Sequence, residues 1–222
     1  MLCAMATRGP YAKGTAKREE ILAVTLEVVA DKGCRRTYVS EIAERAGLTQ
    51  AGLMHYFRSR EELYEEVLTA RGGSPWPDAE APASAVERFI AALEREQHVR
   101  GFVQLAVEFS AEASHPGHPS HGFFLRRQEE HRQALVAAIE AAQREGDVGP
   151  RLDAAAAADT LSATADGLRA RWLLEPDLDV ASRLRALWEQ LRTASHPHAS
   201  SHADACSAEA RSPERAAPLA GA

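Results

Sequence analysis

The stretch Val39–Phe57, VSEIAERAGLTQAGLMHYF, decides the fold. It reads as two short helices joined by a sharp turn. Ile42, Ala43 and Ala46 share one face of the first helix, and Ala43 is small enough to let a second helix cross closely. Gly47 supplies the bend, because a residue without a Cβ takes positive φ at no steric cost. Leu48 follows as a core anchor. Thr49 is placed to cap the second helix by accepting a backbone N–H bond. Leu53 and Phe57, one helical turn apart, hold that helix to the core. Its other face carries Gln50, Ala51, Gly52, Met54, His55 and Tyr56, which are small, polar or aromatic and include no acid. Such a face suits the major groove of DNA, where hydrogen-bonding groups must approach closely and a carboxylate would be repelled. A glycine-turn αα-hairpin that binds nothing has the same local pattern, so the flanking sequence has to decide.

Upstream, REEILAVTLEVVADKG (Arg18–Gly33) carries a wide apolar face of Ile21, Leu22, Thr25, Leu26, Val28 and Val29, and Gly33 stops the helix. The spacing predicts a helix from Lys17 to Lys32. Downstream, Ser59-Arg60-Glu61-Glu62 is a capping box that opens a further helix, with Leu63/Val67 and Tyr64/Leu68 as packing pairs. Taken together, Lys17 to about Leu68 resembles the N-terminal domain of TetR-family transcriptional regulators. DGLRARWLLEPDLD (Asp166–Asp179) resembles the C-terminal domain of a TetR subgroup that includes choline-responsive regulators of the betaine pathway. The resemblance implies a two-domain, all-α, homodimeric DNA-binding regulator. Gln50, Met54 and His55 would contact bases. Thr49, Tyr56 and Arg60 would contact or position phosphates, with Ser40 assisting from the preceding helix. Because Ala51, Gly52 and Met54 offer few hydrogen bonds to base edges, part of the specificity would rest on DNA shape.

The 222 residues suffice for one medium or two small domains, and 45% hydrophobic content is ordinary for a globular chain. The net charge of −6 argues against an overall basic coat but permits a local positive face. Arg8, Lys13, Lys17, Arg18, Lys32, Arg35 and Arg36 outnumber Glu19, Glu20, Glu27 and Asp31 in the first forty residues. Cys3, Cys34 and Cys206 are scattered without disulfide or metal spacing, as in a reducing cytoplasm. No run has the length of a membrane span, and no signal-peptide core opens the chain. Met5 is an alternative start.

Residues 1–14, with Gly9-Pro10, read as a flexible arm. The DNA-binding unit spans 15–72, and Gly72-Gly73-Ser74-Pro75-Trp76-Pro77 breaks the chain after it. The second domain covers 82–194. Its helices are predicted from Ser84-Ala85-Val86-Glu87 through His98, over Gly101–Ser114, over Phe123–Glu145, from an Asp153 cap through Leu174, and over Val180–Thr193. From Ser195 the composition turns to Ser, His, Ala, Pro and charge, and 195–222 is expected to be disordered.

His115, His118 and His121 have a spacing that suits Zn²⁺, but no Cys or carboxylate lies within a few residues, and Pro116 and Pro119 explain the segment as an interhelical turn. Glu129-Glu130-His131 reads as a solvated face. His196, His198 and His202 belong to the polar tail. No nucleophile–base or phosphate-loop pattern stands out, so an enzyme is not expected, and no cofactor is implied. Phe102, Phe109, Phe123 and Trp172 are either ordinary core or the wall of an effector pocket. TetR-like C-terminal domains usually enclose one, and aromatic rings can hold a quaternary ammonium. The last two helices are expected to form a four-helix bundle with a second copy, with Trp188 as anchor. The expected activity is repression at an inverted-repeat operator, relieved by a small-molecule effector. The alternatives are a helical ligand-binding protein without DNA binding and a metal-dependent enzyme built on His115, His118 and His121.

Overall fold

The computed structural model describes residues 10–72 and 85–195, and every regular element among them is helical. α1 (Pro10–Lys32) leads through a short 3-10 turn (Cys34–Arg36) to α2 (Val39–Arg45), α3 (Gln50–Met54) and α4 (Arg60–Arg71). α5 (Ala85–Gln97), α6 (Phe102–Glu112), α7 (His121–Glu145), α8 (Ala154–Trp172) and α9 (Val180–Ser195) follow.

Most caps lie where the sequence puts them. Gly47 has φ of 66°, and Thr49 Oγ1 accepts the Gly52 N–H at 3.0 Å. Ser59 Oγ accepts the Glu62 N–H at 3.0 Å, while the Glu62 carboxylate reaches back one residue further than expected, to the Arg58 N–H at 2.6 Å. Asp153 Oδ1 accepts from Ala155 and Ala156. α2 begins at Val39 without a side-chain cap, with Tyr38 at the N-cap, and Thr37 before it donates its hydroxyl back to the Gly33 carbonyl at 2.8 Å.

The termini differ from expectation. α1 starts at Pro10, not Lys17, so part of the expected arm is helical. Proline suits a first helical position, where its missing N–H has no intrahelical partner to lose. Residues 1–9, the Ser84 cap, the break after Gly72 and the tail from His196 lie outside the described residues. Ser195 is not part of the tail. It closes α9, is buried, and its Oγ accepts the Gly149 N–H at 2.7 Å. α7 begins two residues earlier than predicted, at His121.

Two apolar cores organise the helices. The first joins Ile21, Leu22, Val28 and Val29 of α1 with Ile42, Ala43, Leu53, Phe57, Leu63, Tyr64 and Val67. It also takes Phe102, Leu105 and Phe109 of α6. The second gathers Phe89, Ile90, Leu135, Ile139, Leu161, Leu184 and Trp188 from α5, α7, α8 and α9. α6 therefore packs one face into the core of the helix-turn-helix, although it belongs to the second domain in sequence.

Candidate functional site

In the helix-turn-helix, Leu53 and Phe57 are fully buried, and this sets the orientation of α3. Thr49, Gln50, Ala51 and His55 are left exposed, as is Ser40 in the first turn of α2. Gly52, Met54 and Tyr56 are half-buried, and Met54 and Tyr56 pack on the edge of the first core. The His55 and Tyr56 rings meet edge-on with centroids 6.1 Å apart. The outward face of α3 therefore carries polar groups, a small residue and no acid.

The basic residues around it are less available than their number suggests. Lys17 Nζ donates to the Ala46 carbonyl at 2.5 Å, placing a cation at the C-terminus of α2. Arg18 grips the Glu66 carboxylate, donates to the Tyr56 carbonyl at 2.6 Å and covers the Phe57 ring at 4.3 Å. Lys32 pairs with Glu41 at 2.7 Å. Arg45 and Arg100 share Asp31, at 2.9 Å and 2.6 Å.

Arg60, expected on phosphate, is turned inward. It bonds Glu112 at the end of α6 at 3.0 Å and Glu61 at 3.2 Å, and it stacks 5.3 Å from the Tyr64 ring. Beside it, Glu108 accepts the Cys34 N–H at 2.7 Å. The guanidinium follows carboxylates that sequence spacing does not reveal, because Glu112 is brought in by tertiary packing. Burial pushes the Cys34 thiol up to about 12, so it is an inert core group. Arg36 and Arg58 are exposed and make no ion pair among the described residues. No spacing signal in the sequence marks Arg58, which directly follows Phe57 at the end of the motif.

A cavity of about 730 Å³ lies among α5, α6, α7 and α8. Its apolar wall includes Phe89, Leu93, Ala106, Val107 and Phe124, and Leu68 and Gly72 reach it from the end of α4. None of the four expected pocket residues lines it. Phe102 and Phe109 are fully buried in the first core, and Phe109 meets Tyr64 and Phe124 edge-on, with centroids 5.2 Å and 5.4 Å apart. Phe123 is half-buried against Phe124, and Trp172 is half-buried on the second core. Periodicity identified the buried stripe of α6, but the cavity uses the opposite face, through Ala106, Val107 and Ser110.

The polar wall comes from α5, α7 and α8. Glu96 and Arg169 pair at 3.1 Å with side chains only 10% and 13% exposed. Burial pushes the Glu96 carboxyl up, and Arg169 partly offsets it. Burial also lowers Arg127 and raises Asp166, and it pushes His131 down to about 4, with Arg127 and Arg169 adding repulsion. His131 is therefore a neutral imidazole facing the cavity, not part of a solvated face. Arg169 also lies 6.0 Å from the Phe102 ring, which links this wall to the first core.

The expected His turn is built by its own backbone. His115 Nδ1 accepts the Gly117 N–H at 3.1 Å, His118 Nδ1 accepts the Ser120 N–H at 3.2 Å, and His121 Nδ1 lies 2.8 Å from the Ala113 carbonyl. His118 also meets the Phe109 ring edge-on. Among the described residues, no three His, Cys, Asp or Glu are grouped to hold a metal. Trp188, expected as an interface anchor, is buried in the second core of its own chain. One exposed stripe of α8 is instead small, through Ala156, Thr160, Ala163, Gly167 and Ala170, beside the exposed Asp159, Asp166 and Arg171, and Leu174 beyond the helix is 84% exposed.

Two family models match the chain. One, described as bacterial regulatory proteins of the tetR family, covers residues 21–67. The other, described as the C-terminal domain of BetI-type transcriptional repressors, covers residues 82–196. The HTH-type transcriptional repressor KstR2 of Mycobacterium tuberculosis is 30% identical over 149 residues, which is 62% of this chain and 72% of that protein. A TetR transcription regulator from Haloarcula marismortui superposes with a TM-score of 0.69 at 21% identity, covering 82% of this chain and 98% of that one. The regulator FadR from Bacillus subtilis, solved with stearoyl-CoA, superposes at 0.64 and 19% identity, covering 80% and 99%. At these identities the two structures establish the shared fold alone.

Proposed function

This chain belongs to the TetR family of DNA-binding transcriptional regulators, and on that premise we propose that it represses transcription as a homodimer on an inverted-repeat operator and is released when a small molecule fills the α5–α8 cavity. The family is one of regulators, not of enzymes. The observation that carries the reading is the double role of α6. One face is sealed into the helix-turn-helix core by Phe102, Leu105 and Phe109, and the other is a wall of the cavity. A ligand that favours one position of α6 thereby favours one position of α3, which is the differential binding that coupling between sites requires.

In this reading Gln50 and His55 approach base edges, Met54 makes an apolar contact at the groove, and Ala51 and Gly52 permit the close approach. Thr49, Tyr56 and Ser40 lie against phosphates. Arg36 and Arg58 replace Arg60 as phosphate cations, and Arg60 works as a tie between α4 and α6. The DNA-binding unit is 15–72 and the effector and dimer unit 82–194, with α6 shared between their cores. The small exposed stripe of α8 and the bare Leu174 support pairing with a second copy through α8 and α9. No helix among the described residues is long and apolar enough to cross a membrane, and we place the protein with its DNA in the cytoplasm. No cofactor is required.

The rival of a ligand binder without DNA contact leaves the acid-free face of α3 without a role. Footprinting on the DNA upstream of the chain's own gene tests the proposal. Two protected half-sites in inverted orientation, centred about one helical turn or more apart and occupied by two protomers, are expected. A single asymmetric half-site bound by a monomer contradicts it.

A further inference from the structure

α6 carries two acids where a helix gains nothing from them. Glu108 and Glu112 stand one turn apart on one face, within the last two turns. Like charges at that spacing repel, and the helix dipole disfavours a negative charge at the C-terminal end, where Glu112 sits. α6 has no basic residue of its own to offset them. Both are half-buried, and the Glu112 side chain is only 15% exposed. Helix stability does not account for this placement, but the partners of the two carboxylates do.

Those partners lie at the two ends of the helix-turn-helix. Glu108 Oε2 accepts the Cys34 N–H at 2.7 Å, in the 3-10 turn that leads into α2. Its Oε1 accepts from Gln104 Nε2 at 2.9 Å, which braces the carboxylate on its own helix. Glu112 Oε2 accepts from Arg60 Nη2 at 3.0 Å, and Arg60 opens α4 directly after the motif. Glu112 Oε1 also lies 3.8 Å from Arg35 Nε, beside Cys34. One carboxylate therefore grips the chain before α2, and the other grips it after α3.

Both grips act on the main chain more than on loose side chains. Glu108 bonds a backbone N–H, so the turn itself is fixed. The Arg60 guanidinium is held on other sides by Glu61 at 3.2 Å and by the Tyr64 ring at 5.3 Å, so a shift of Glu112 pulls on α4. The opposite end of α6 is seated as well. Gly101 has φ of 78°, and a Cβ there would stand 2.2 Å from the Leu26 carbonyl oxygen of α1. Between the two grips, α2 has seven residues and α3 has five. Helices this short have little stability of their own and take their orientation from what holds them.

We infer that Glu108 and Glu112 are positioning residues for DNA recognition, clasping both ends of the helix-turn-helix from α6 and setting the orientation in which α3 meets the groove. The inference rests on α3 being the helix that reads DNA. Anisotropy of full-length variants on the footprinted duplex and on a scrambled duplex tests it. Glu108→Ala and Glu112→Ala should each lose about tenfold in affinity for the footprinted duplex, the equivalent of one charge-assisted contact. Neither should lose affinity for scrambled DNA, which is bound through its phosphates. Glu108→Gln and Glu112→Gln keep an oxygen that accepts the same bonds, and each should recover part of the loss. Melting curves establish that all four variants are folded at the assay temperature.

Hydrogen exchange separates positioning from general loosening. Glu108→Ala should speed exchange in residues 33–38 and leave α1 and α8 at wild-type rates. Faster exchange throughout, or equal loss on both duplexes, would mean that the carboxylates stabilise the fold without orienting α3. Wild-type affinity for the footprinted duplex in both alanine variants overturns the inference, and unchanged exchange in 33–38 removes Glu108 from the clasp. A wild-type protein that protects no site upstream of its gene contradicts the DNA reading instead, and exchange in 33–38 still decides whether the clasp exists.

Discussion

Phe109→Ala is expected to destabilise the protein by about 3–5 kcal/mol, the usual cost of removing a fully buried aromatic ring. Phe109 has no exposed surface, and its ring meets Tyr64, His118 and Phe124 edge-on. The contact with Tyr64 crosses from α6 to α4, so the cavity left behind would lie between the two parts of the molecule. The variant should therefore weaken DNA binding and effector response together. An effect on the effector alone, as expected of a pocket residue, is not predicted. Chemical denaturation followed by far-UV circular dichroism gives the stability. A loss below about 0.5 kcal/mol, the range of ordinary surface substitutions, would show that α6 is not seated in the first core.

The second large effect belongs to α3. Gln50→Ala combined with His55→Ala should reduce specific binding at least about a hundredfold, since each base-edge contact contributes roughly 1–3 kcal/mol of discrimination and a dimer loses each contact twice. Both side chains are exposed and neither makes an intramolecular hydrogen bond or ion pair among the described residues. The melting temperature should therefore stay unchanged. Binding to a scrambled duplex, which depends on phosphate charge, should persist. Equal loss on operator and scrambled DNA would assign these residues to phosphate instead of bases.

How far the sequence reaches depends on the range of the interaction. Gly47, Thr49, Ser59, Asp153 and Gly33 act on backbone groups within a few residues, so the turn, three caps and a helix stop were legible from spacing alone. The acid-free face of α3 was legible for the same reason, because Leu53 and Phe57 fix its rotation. Periodicity also marked Phe102, Leu105 and Phe109 as buried, but it says which face is buried and not against what. None of these rings lines the α5–α8 cavity, because they pack into the first core instead.

The charged residues were hardest to read. Arg60 is bonded to Glu112, and Glu96 to Arg169, across long separations in the chain. In sequence, Glu129-Glu130-His131 looks like the solvated face of a long helix, and nothing in the spacing singles out Arg127. The packing of α7 on α5 and α8 turns Arg127 and His131 into the cavity. The same limitation made the basic N-terminal third look more available to DNA than it is, because Lys17, Arg18 and Lys32 are engaged within the fold.

Fluorescence anisotropy of the full-length protein on its operator, measured across a salt series, tests the central claim most directly. A dimer that meets six or more phosphates should lose about a thousandfold in affinity between 50 and 200 mM salt, and Arg58→Ala should reduce the slope of log K against log salt by about 2, one for each protomer. A flat salt dependence, or wild-type slopes in both Arg36→Ala and Arg58→Ala, would mean that DNA does not bind across the face built by α2 and α3.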